Sequence, residues 1–233
     1  MKGVLLCGGK GTRLLPATKY MNKHMVPLLN TPMITYPLNT LKSFGIVDIM
    51  IITGGEHIGQ IAEFLEDGSN FGVNITYKVQ KNAGGIAQAL GLAECFVGDD
   101  NVMVILGDNI YDNINNIFLN KITPVGYSSI LVKQMEGASR FGVLIGDKIV
   151  EKPKDIEKGD VVTGLYVYPN DVFDLIKTLK PSTRGEIEIT SVNNFYLKSK
   201  KCEIYHMKKD NFWSDCGIPK SLFETIKWIY EKR

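Results

Sequence analysis

The segment Gly8-Gly9-Lys10-Gly11-Thr12-Arg13-Leu14 puts three glycines, a lysine and an arginine directly after a short apolar run, Gly3 to Cys7. Glycine lets backbone approach a ligand closely, and successive free N–H groups make a nest for an anion. Phosphate binding is the chemistry such a loop could serve. A dinucleotide fingerprint starting at Gly9 needs glycine at 14, where the chain has Leu14. A Walker loop ending in Gly9-Lys10 needs glycine at 4 and serine or threonine at 11, where the chain has Val4 and Gly11. Both fail. What remains is a glycine loop with Arg13 inside it and Lys23 ten residues beyond Arg13. Taken alone, a tight turn with solvated cations explains these residues equally well.

Two aspartates could hold a metal. Asp108 follows the apolar run Val102 to Leu106, at the carboxyl end where open α/β sheets bind ligands. Asp215 stands between Trp213 and Gly217. Mg²⁺ is commonly held by one or two carboxylates plus substrate phosphates, yet a lone aspartate after a strand is more often a turn or helix cap. Gln80 offers one acceptor and two donors to a pyrimidine edge, and Gly85 leaves room for a base; a polar strand end and a Gly-Gly turn is the rival reading. On local chemistry Glu151-Lys152-Pro153 is a surface turn, and Arg184 to Glu188 a helix N-terminus. His24, His57 and His206 are isolated, without metal-ligand spacing. Lys10 and Lys19 read as solvated lysines, and no Ser-His-Asp order or activated cysteine is present.

These residues must be positioned by an alternation of apolar runs and amphipathic stretches. Strands are expected at Gly3–Cys7, Val47–Ile52, Ile75–Val79 and Val102–Leu106. Helices are expected at Met33–Phe44, His57–Leu65 and Ile86–Phe96. Such alternation implies a parallel sheet with helices on both faces. After about residue 126 the pattern turns to strands at Ser128–Val132, Phe141–Ile145, Lys148–Val150 and Val161–Tyr168. Helices return at Val172–Thr178, Ile187–Leu197 and Leu222–Tyr230, the last with Phe212, Trp213, Phe223, Trp228 and Tyr230 packing around it. No linker, repeat or low-complexity tract interrupts the chain, so one mixed α/β domain is expected.

Composition narrows the partners. With 27 Lys+Arg against 25 Asp+Glu the formal charge is +2, which excludes a bulk field for nucleic acid or an anionic membrane. The 44% hydrophobic and 22% charged fractions are too apolar for disorder. Cys7, Cys95, Cys202 and Cys216 show neither C-x-x-C pairs nor zinc spacing, which suits a reducing compartment. No segment has a signal-peptide core or approaches the ~18 apolar residues of a membrane span. A cytoplasmic protein with its native start is expected.

Taken together, the glycine loop through Leu15-Pro16, Asn22-Lys23-His24-Met25-Val26-Pro27, Pro32-Met33-Ile34, Gln80 with Gly84-Gly85-Ile86-Ala87-Gln88-Ala89, and Leu106-Gly107-Asp108-Asn109 resemble the signature of the sugar-1-phosphate nucleotidylyltransferases. Phe141-Gly142-Val143, Glu151-Lys152-Pro153, Val162-Thr163-Gly164-Leu165-Tyr166, Arg184-Gly185-Glu186-Ile187-Glu188-Ile189-Thr190 and Trp213-Ser214-Asp215-Cys216-Gly217 continue the match in order over nearly the whole chain. The pattern is most similar to the members that act on glucose 1-phosphate with a thymidine nucleotide.

The resemblance implies a single Rossmann-like three-layer domain of the nucleotide-diphospho-sugar transferase fold, with a mostly parallel mixed central sheet. Its nucleotide-binding half would run to about residue 126, and a sheet-rich sugar-phosphate-binding half would follow from about 127. The implied reaction is Mg²⁺-dependent transfer of dTMP from dTTP to glucose 1-phosphate by direct in-line attack, giving dTDP-glucose and pyrophosphate. UTP or another hexose 1-phosphate is the alternative, and a silent nucleotide-sugar sensor a more distant one. The attacking phosphate oxygen is already ionised, so catalysis is positioning and charge neutralisation. By the resemblance Arg13 and Lys23 are catalytic and hold the triphosphate with Gly8, Gly9, Gly11 and Thr12. Gln80 and Gly85 read the base, while Asp108, which also touches the nucleotide, and Asp215 hold Mg²⁺. Asn109, Gly142, Glu151, Lys152, Val162 and Arg184 bind the sugar phosphate. Cys7, Phe141 and Cys216 stand where the family commonly has a small residue, tyrosine and a small residue. The stretch from Val132 to Glu151 is short, and longer members continue past the position of Arg233 with regulatory and subunit-contact segments. A homo-oligomer is expected, with no nucleic-acid or membrane partner.

Overall fold

In the computed structural model, which describes residues 1–112, 114 and 124–232, the apolar runs become strands and the amphipathic runs helices. In chain order come β1 (Lys2–Cys7), a short ladder of β2 (Pro27–Leu28) with β3 (Thr31–Pro32), α1 (Thr35–Ser43), β4 (Asp48–Gly54), α2 (Ile58–Leu65) and β5 (Asn74–Gln80). They are followed by α3 (Ile86–Gly91), α4 (Glu94–Val97), β6 (Val102–Leu106) and β7 (Asn109–Tyr111). The later elements are β8 (Ser128–Glu136), β9 (Gly142–Ile145), β10 (Lys148–Glu151), β11 (Lys158–Tyr168), α5 (Val172–Thr178), α6 (Ile189–Lys198), β12 (Cys202–His206), β13 (Trp213–Asp215) and α7 (Pro219–Glu231). The early strands run parallel, as the alternation implied, and the later ones add antiparallel pairs to give a mixed sheet. No helix of the described residues is long and apolar enough to cross a membrane.

The chain divides into two compact units, each built from separated segments. The first takes residues 2–83, 105–112 and 212–232. Its strands β1, β4 and β5 are parallel, with Leu5 opposite Ile51 and Ile51 opposite Tyr77. Val4, Leu5, Ile49 and Ile51 are fully buried, which is why β1 and β4 read as continuous apolar runs. A second layer of this unit pairs β7 with β13 antiparallel, with Asp215 opposite Asn109. α7 packs on β13 and β2. Val26, Leu28, Met33, Ile110, Cys216 and Ile229 form the core beneath it, against which Phe212 and Trp228 stack with ring centroids 4.0 Å apart.

The second unit takes residues 84–104 and the described part of 113–211, with Met1. β8 and β11 run antiparallel, β9 joins β11, β10 joins β9, and β12 lies parallel to β8. A register irregularity lies between Val162 and Tyr166. The turn into α3 is tied to the segment before α6: Ile187 N–H donates to Gly84 O (2.7 Å) and Ala87 N–H to Ile187 O (3.2 Å).

Several expectations change. The helix expected over Ile86–Phe96 is broken into α3 and α4 where Gly91 ends the first; glycine disfavours a helix interior. β2, β3, β7 and β13 are too short to show a period, and β12 is a five-residue strand flanked by lysines. Phe223 and Tyr230 do not pack: they are 69% and 70% exposed. Seven residues apart, they share one face of α7, while Thr225 and Ile229 face the core.

Among the glycines of the second unit, Gly85 has the least room for a side chain. Its φ is +99°, and an added Cβ would lie 2.5 Å from the Ile187 carbonyl oxygen. Backbone cannot give way as a side chain tip can. Gly85→Ala is expected to cost about 2–4 kcal/mol, from a disfavoured φ plus overpacking, measured as a shift of the urea midpoint at unchanged slope. An unshifted midpoint would show that the turn repacks freely.

Candidate active site

The glycine loop leaves β1 and needs left-handed backbone at Gly9 (φ +89°) and Gly11 (φ +63°). Gly11 then opens a single 3-10 turn over Thr12–Leu14, closed by Leu14 N–H to Gly11 O at 2.8 Å. A left-handed residue followed by a helical turn aims successive N–H groups into one concavity. Thr18 Oγ1 donates to Gly11 O at 2.7 Å and anchors the loop from below. Gly8 lies beside Gln80: a Cβ there would be 3.2 Å from Gln80 Oε1. Gln80, at the end of β5, is buried although polar. Arg13 and Thr12 are exposed at the loop surface, and Lys10 and Lys19 are exposed as expected.

Lys23 and Asp108 form the centre of the site. Lys23 Nζ donates to Asp108 Oδ2 at 2.6 Å, and both side chains are largely buried. Asp108 Oδ1 accepts from Asn109 Nδ2 at 3.0 Å, and Asn109 Oδ1 accepts from Trp213 Nε1 at 2.8 Å. Asn109, expected at the sugar, is 2% exposed, and its amide orients Asp108. The β7–β13 ladder brings Asp215 beside this pair, and Cys216 N–H donates to Asp108 O at 2.9 Å. Asp215 Oδ1 accepts from Gly217 N–H at 2.6 Å. A Cβ on Gly217 would lie 3.2 Å from Arg13 Nη2, which puts the guanidinium alongside Asp215. Thus Gly8, Gly9, Gly11, Thr12, Arg13, Lys23, Gln80, Asp108 and Asp215 all lie in the first unit.

His24 is not the isolated residue its sequence context suggests. It is fully buried, and Asn22 Oδ1 accepts both its backbone N–H (3.0 Å) and its Nδ1–H (2.7 Å). Burial, with the Lys23 ammonium next, lowers its pKa to about 3, so the ring is neutral. A Cβ at Gly107 would meet this ring at 2.7 Å and Cys7 Sγ at 2.8 Å. Burial likewise pushes the Cys216 thiol up to about 12 and Cys7 still higher, leaving both as small apolar side chains. No sequence period could have singled out His24, because its role depends on strands distant in the chain.

The second unit holds Gly85, Gly142, Glu151, Lys152, Val162 and Arg184. Gly142 pairs with Glu151 across β9 and β10, and a Cβ on it would lie 3.3 Å from Thr190 Oγ1 and 3.5 Å from Glu151 Oε2. Thr190 donates to Glu151 Oε2, a partner the sequence reading did not assign. Val162 is buried and pairs with Val132. Lys152 is exposed with φ +47°, its N–H held by Phe141 O at 2.9 Å, and its Nζ is 3.8 Å from Glu151 Oε1. Arg184 is taken up by carboxylates: it donates to Glu188 at 3.0 and 2.7 Å, Glu151 at 3.2 Å and Glu186 at 3.3 Å.

Burial alone would raise the Asp108 pKa, but Lys23, His24 and Asn109 together hold it well below the carboxylate range. Burial would lower Lys23, and Asp108, with Asp215 and Cys7 further off, raises it instead. Both shifts describe one ionised pair. A depressed carboxyl pKa contributes stability above the unfolded value of about 3.9, and that stability is lost as pH falls below it. Urea unfolding should show this loss in the wild type between about pH 5 and pH 2, while Asp108→Asn should lack that component. At neutral pH Asp108→Asn should be less stable by about 2–4 kcal/mol, because it strands a largely buried ammonium. Equal stability at neutral pH would mean the pair contributes nothing.

Comparisons with known proteins now add to this geometry. The profile of the Nucleotidyl transferase family matches residues 2–232. A glucose-1-phosphate thymidylyltransferase of Neisseria meningitidis is 37% identical over 98% of this chain and 82% of its own length. A Bacillus anthracis protein designated a glucose-1-phosphate thymidylyltransferase, solved in complex with a sucrose, superposes with TM-score 0.89 and 46% identity, covering 98% of this chain and 94% of its own. A UDP-glucose pyrophosphorylase complexed with UDP-glucose shares the fold at TM-score 0.83 and 24% identity, over 100% of this chain and 99% of its own. A profile matched end to end, joined to the cations and carboxylates gathered at one glycine loop, places this chain in the nucleotidyl transferase family, as a nucleotidyltransferase.

Proposed function

We propose that this enzyme transfers dTMP from dTTP to glucose 1-phosphate, releasing pyrophosphate and giving dTDP-glucose, with Mg²⁺ as the metal. The observation that carries the reading is the convergence of Arg13, Lys23, Asp108 and Asp215 on one glycine loop. The name shared by the relatives supports the choice of substrates.

The residues present fit a hard cation. Asp108, one residue before β7, and Asp215, at the end of β13, bring two carboxylates together, and a hard cation takes such oxygen donors in place of an ammonium. Mg²⁺ is commonly held by one or two carboxylates together with substrate phosphates. Bound there, Mg²⁺ would neutralise charge on the transferring phosphates.

The remaining steps belong to the chain. The N–H groups of Gly8 to Thr12 cradle the triphosphate, and Arg13 offers its fork to the departing pyrophosphate. Lys23 gives a point charge to the α-phosphate. Gln80, held against Gly8, presents its amide to the pyrimidine edge. The sugar phosphate oxygen attacks without losing a proton, so no general base is needed. In the second unit, Glu151, oriented by Thr190, accepts from sugar hydroxyls, and the backbone groups of Gly142 and Val162 border it. Lys152, loosely paired and exposed, is the cation for the sugar phosphate. Arg184, through Nε and Nη2, orders Glu151 and Glu188 at the edge of this site.

Pyrophosphate release measured with dTTP, UTP, CTP and ATP against several hexose 1-phosphates tests the substrates: dTTP with glucose 1-phosphate should give the largest kcat/KM. A preference for CTP or ATP would sink the reading. Arg13→Ala and Asp215→Asn should each lower kcat by about 10²–10³ through lost transition-state charge stabilisation. Lys152→Ala should raise KM for glucose 1-phosphate more than for dTTP; the reverse order would move Lys152 out of the acceptor site.

A further inference from the structure

We propose that Lys23 serves two partners in turn: in the free protein its ammonium occupies the Asp108 oxygen that a divalent cation needs, and it moves to a nucleotide phosphate only when cation and nucleotide arrive together. The inference rests on the metal-assisted reading above.

Geometry makes the exchange short. Lys23 Nζ lies 2.6 Å from Asp108 Oδ2 and 3.8 Å from where a Cβ on Gly9 would stand, so the ammonium already sits beneath the glycine loop. The backbone on either side is pinned: Asn22 N–H donates to Gln60 Oε1 at 2.7 Å, and the His24 ring is fully buried and bonded to Asn22. Only the four-carbon stem of Lys23 is left to swing. Asp108 has no equivalent freedom, because Asn109 holds its other oxygen and Trp213 holds Asn109.

Charge decides the order. Arg13 and Lys23 balance Asp108 and Asp215. A divalent cation entering alone would displace the Lys23 ammonium with no phosphate to receive it. A nucleotide entering alone would draw Lys23 away and leave the Asp108 carboxylate facing a polyanion. Either event breaks a largely buried pair and strands one charge, which is strongly unfavourable. Joint arrival strands neither. Cation and nucleotide are therefore coupled through Lys23, and the coupling is reciprocal.

The test is Mn²⁺ binding to the full-length chain without nucleotide, read by electron paramagnetic resonance of the free ion. Wild type should bind weakly. Lys23→Met and Lys23→Gln, checked for native circular dichroism, should each bind at least tenfold more tightly, since the competing ammonium is gone. Affinity equal to wild type in both variants overturns the exchange. The wild type gives an independent arm: the ¹⁵N-lysine signal of the Lys23 ammonium should stay put on adding Mg²⁺ alone and shift on adding Mg²⁺ with dTTP. A shift with Mg²⁺ alone also overturns it. Asp108→Asn separates the two readings. With dTTP present it should abolish the enhanced water relaxation of protein-bound Mn²⁺–dTTP. Retained enhancement would sink the metal reading itself, whereas its loss beside unchanged Lys23 variants sinks only the exchange.

Discussion

A lysine and an aspartate placed mostly out of water, 2.6 Å apart, set the terms for everything around them. Removing two charges from solvent is costly, and their attraction repays it only when geometry is tight and the remaining lone pairs are satisfied. The surroundings meet both conditions. Asn109 satisfies the second Asp108 oxygen, and Trp213 fixes Asn109. The backbone carbonyl of Asp108 is taken by Cys216. Beneath the pair lie a neutral, buried imidazole and a buried thiol, pressed so close to residue 107 that only glycine fits there.

That constraint explains why this unit recruits distant segments. Asp108 cannot be held from one side. The segment Trp213–Cys216 supplies the second carboxylate, the indole and the backbone donor in one pass, and it stays in place because α7 buries Ile229 against Val26, Leu28 and Met33. The stacked rings of Phe212 and Trp228 close the seam. Packing of the C-terminal helix is thus tied to the electrostatics of the glycine loop.

The charged cluster in the second unit follows different physics. Arg184 and its glutamates are partly exposed, so water screens them and each exposed pair is worth little on its own. Their use is orientation. Glu151 is caught between Arg184 and Thr190, and Gly142 lets it and Ile149 pack close against the backbone. Lys152, in left-handed backbone, is the most exposed cation of this group, with its ammonium 3.8 Å from Glu151 Oε1.

Local pattern was enough for the alternation of strands and helices, because buried parallel strands and amphipathic helices write their burial directly into residue order. It also exposed the glycine loop and, through collinear motifs, the cations and aspartates. It could not show β7, β13 or β12, whose three to five residues carry no usable period, nor the exposed aromatics of α7, which depend on which helix face meets the core. It gave no sign that Asn109 bonds Asp108, that His24 is fully buried, that Thr190 bonds Glu151, or that three glutamates surround Arg184. Residue types, spacing and near-neutral charge by themselves determined that the chain could build a local anion site on an α/β scaffold. Which side chains face each other across about eighty to a hundred residues of sequence was decided only by tertiary structure, because an ion pair's partner is chosen by packing and desolvation, and neither is a property of neighbours in the chain.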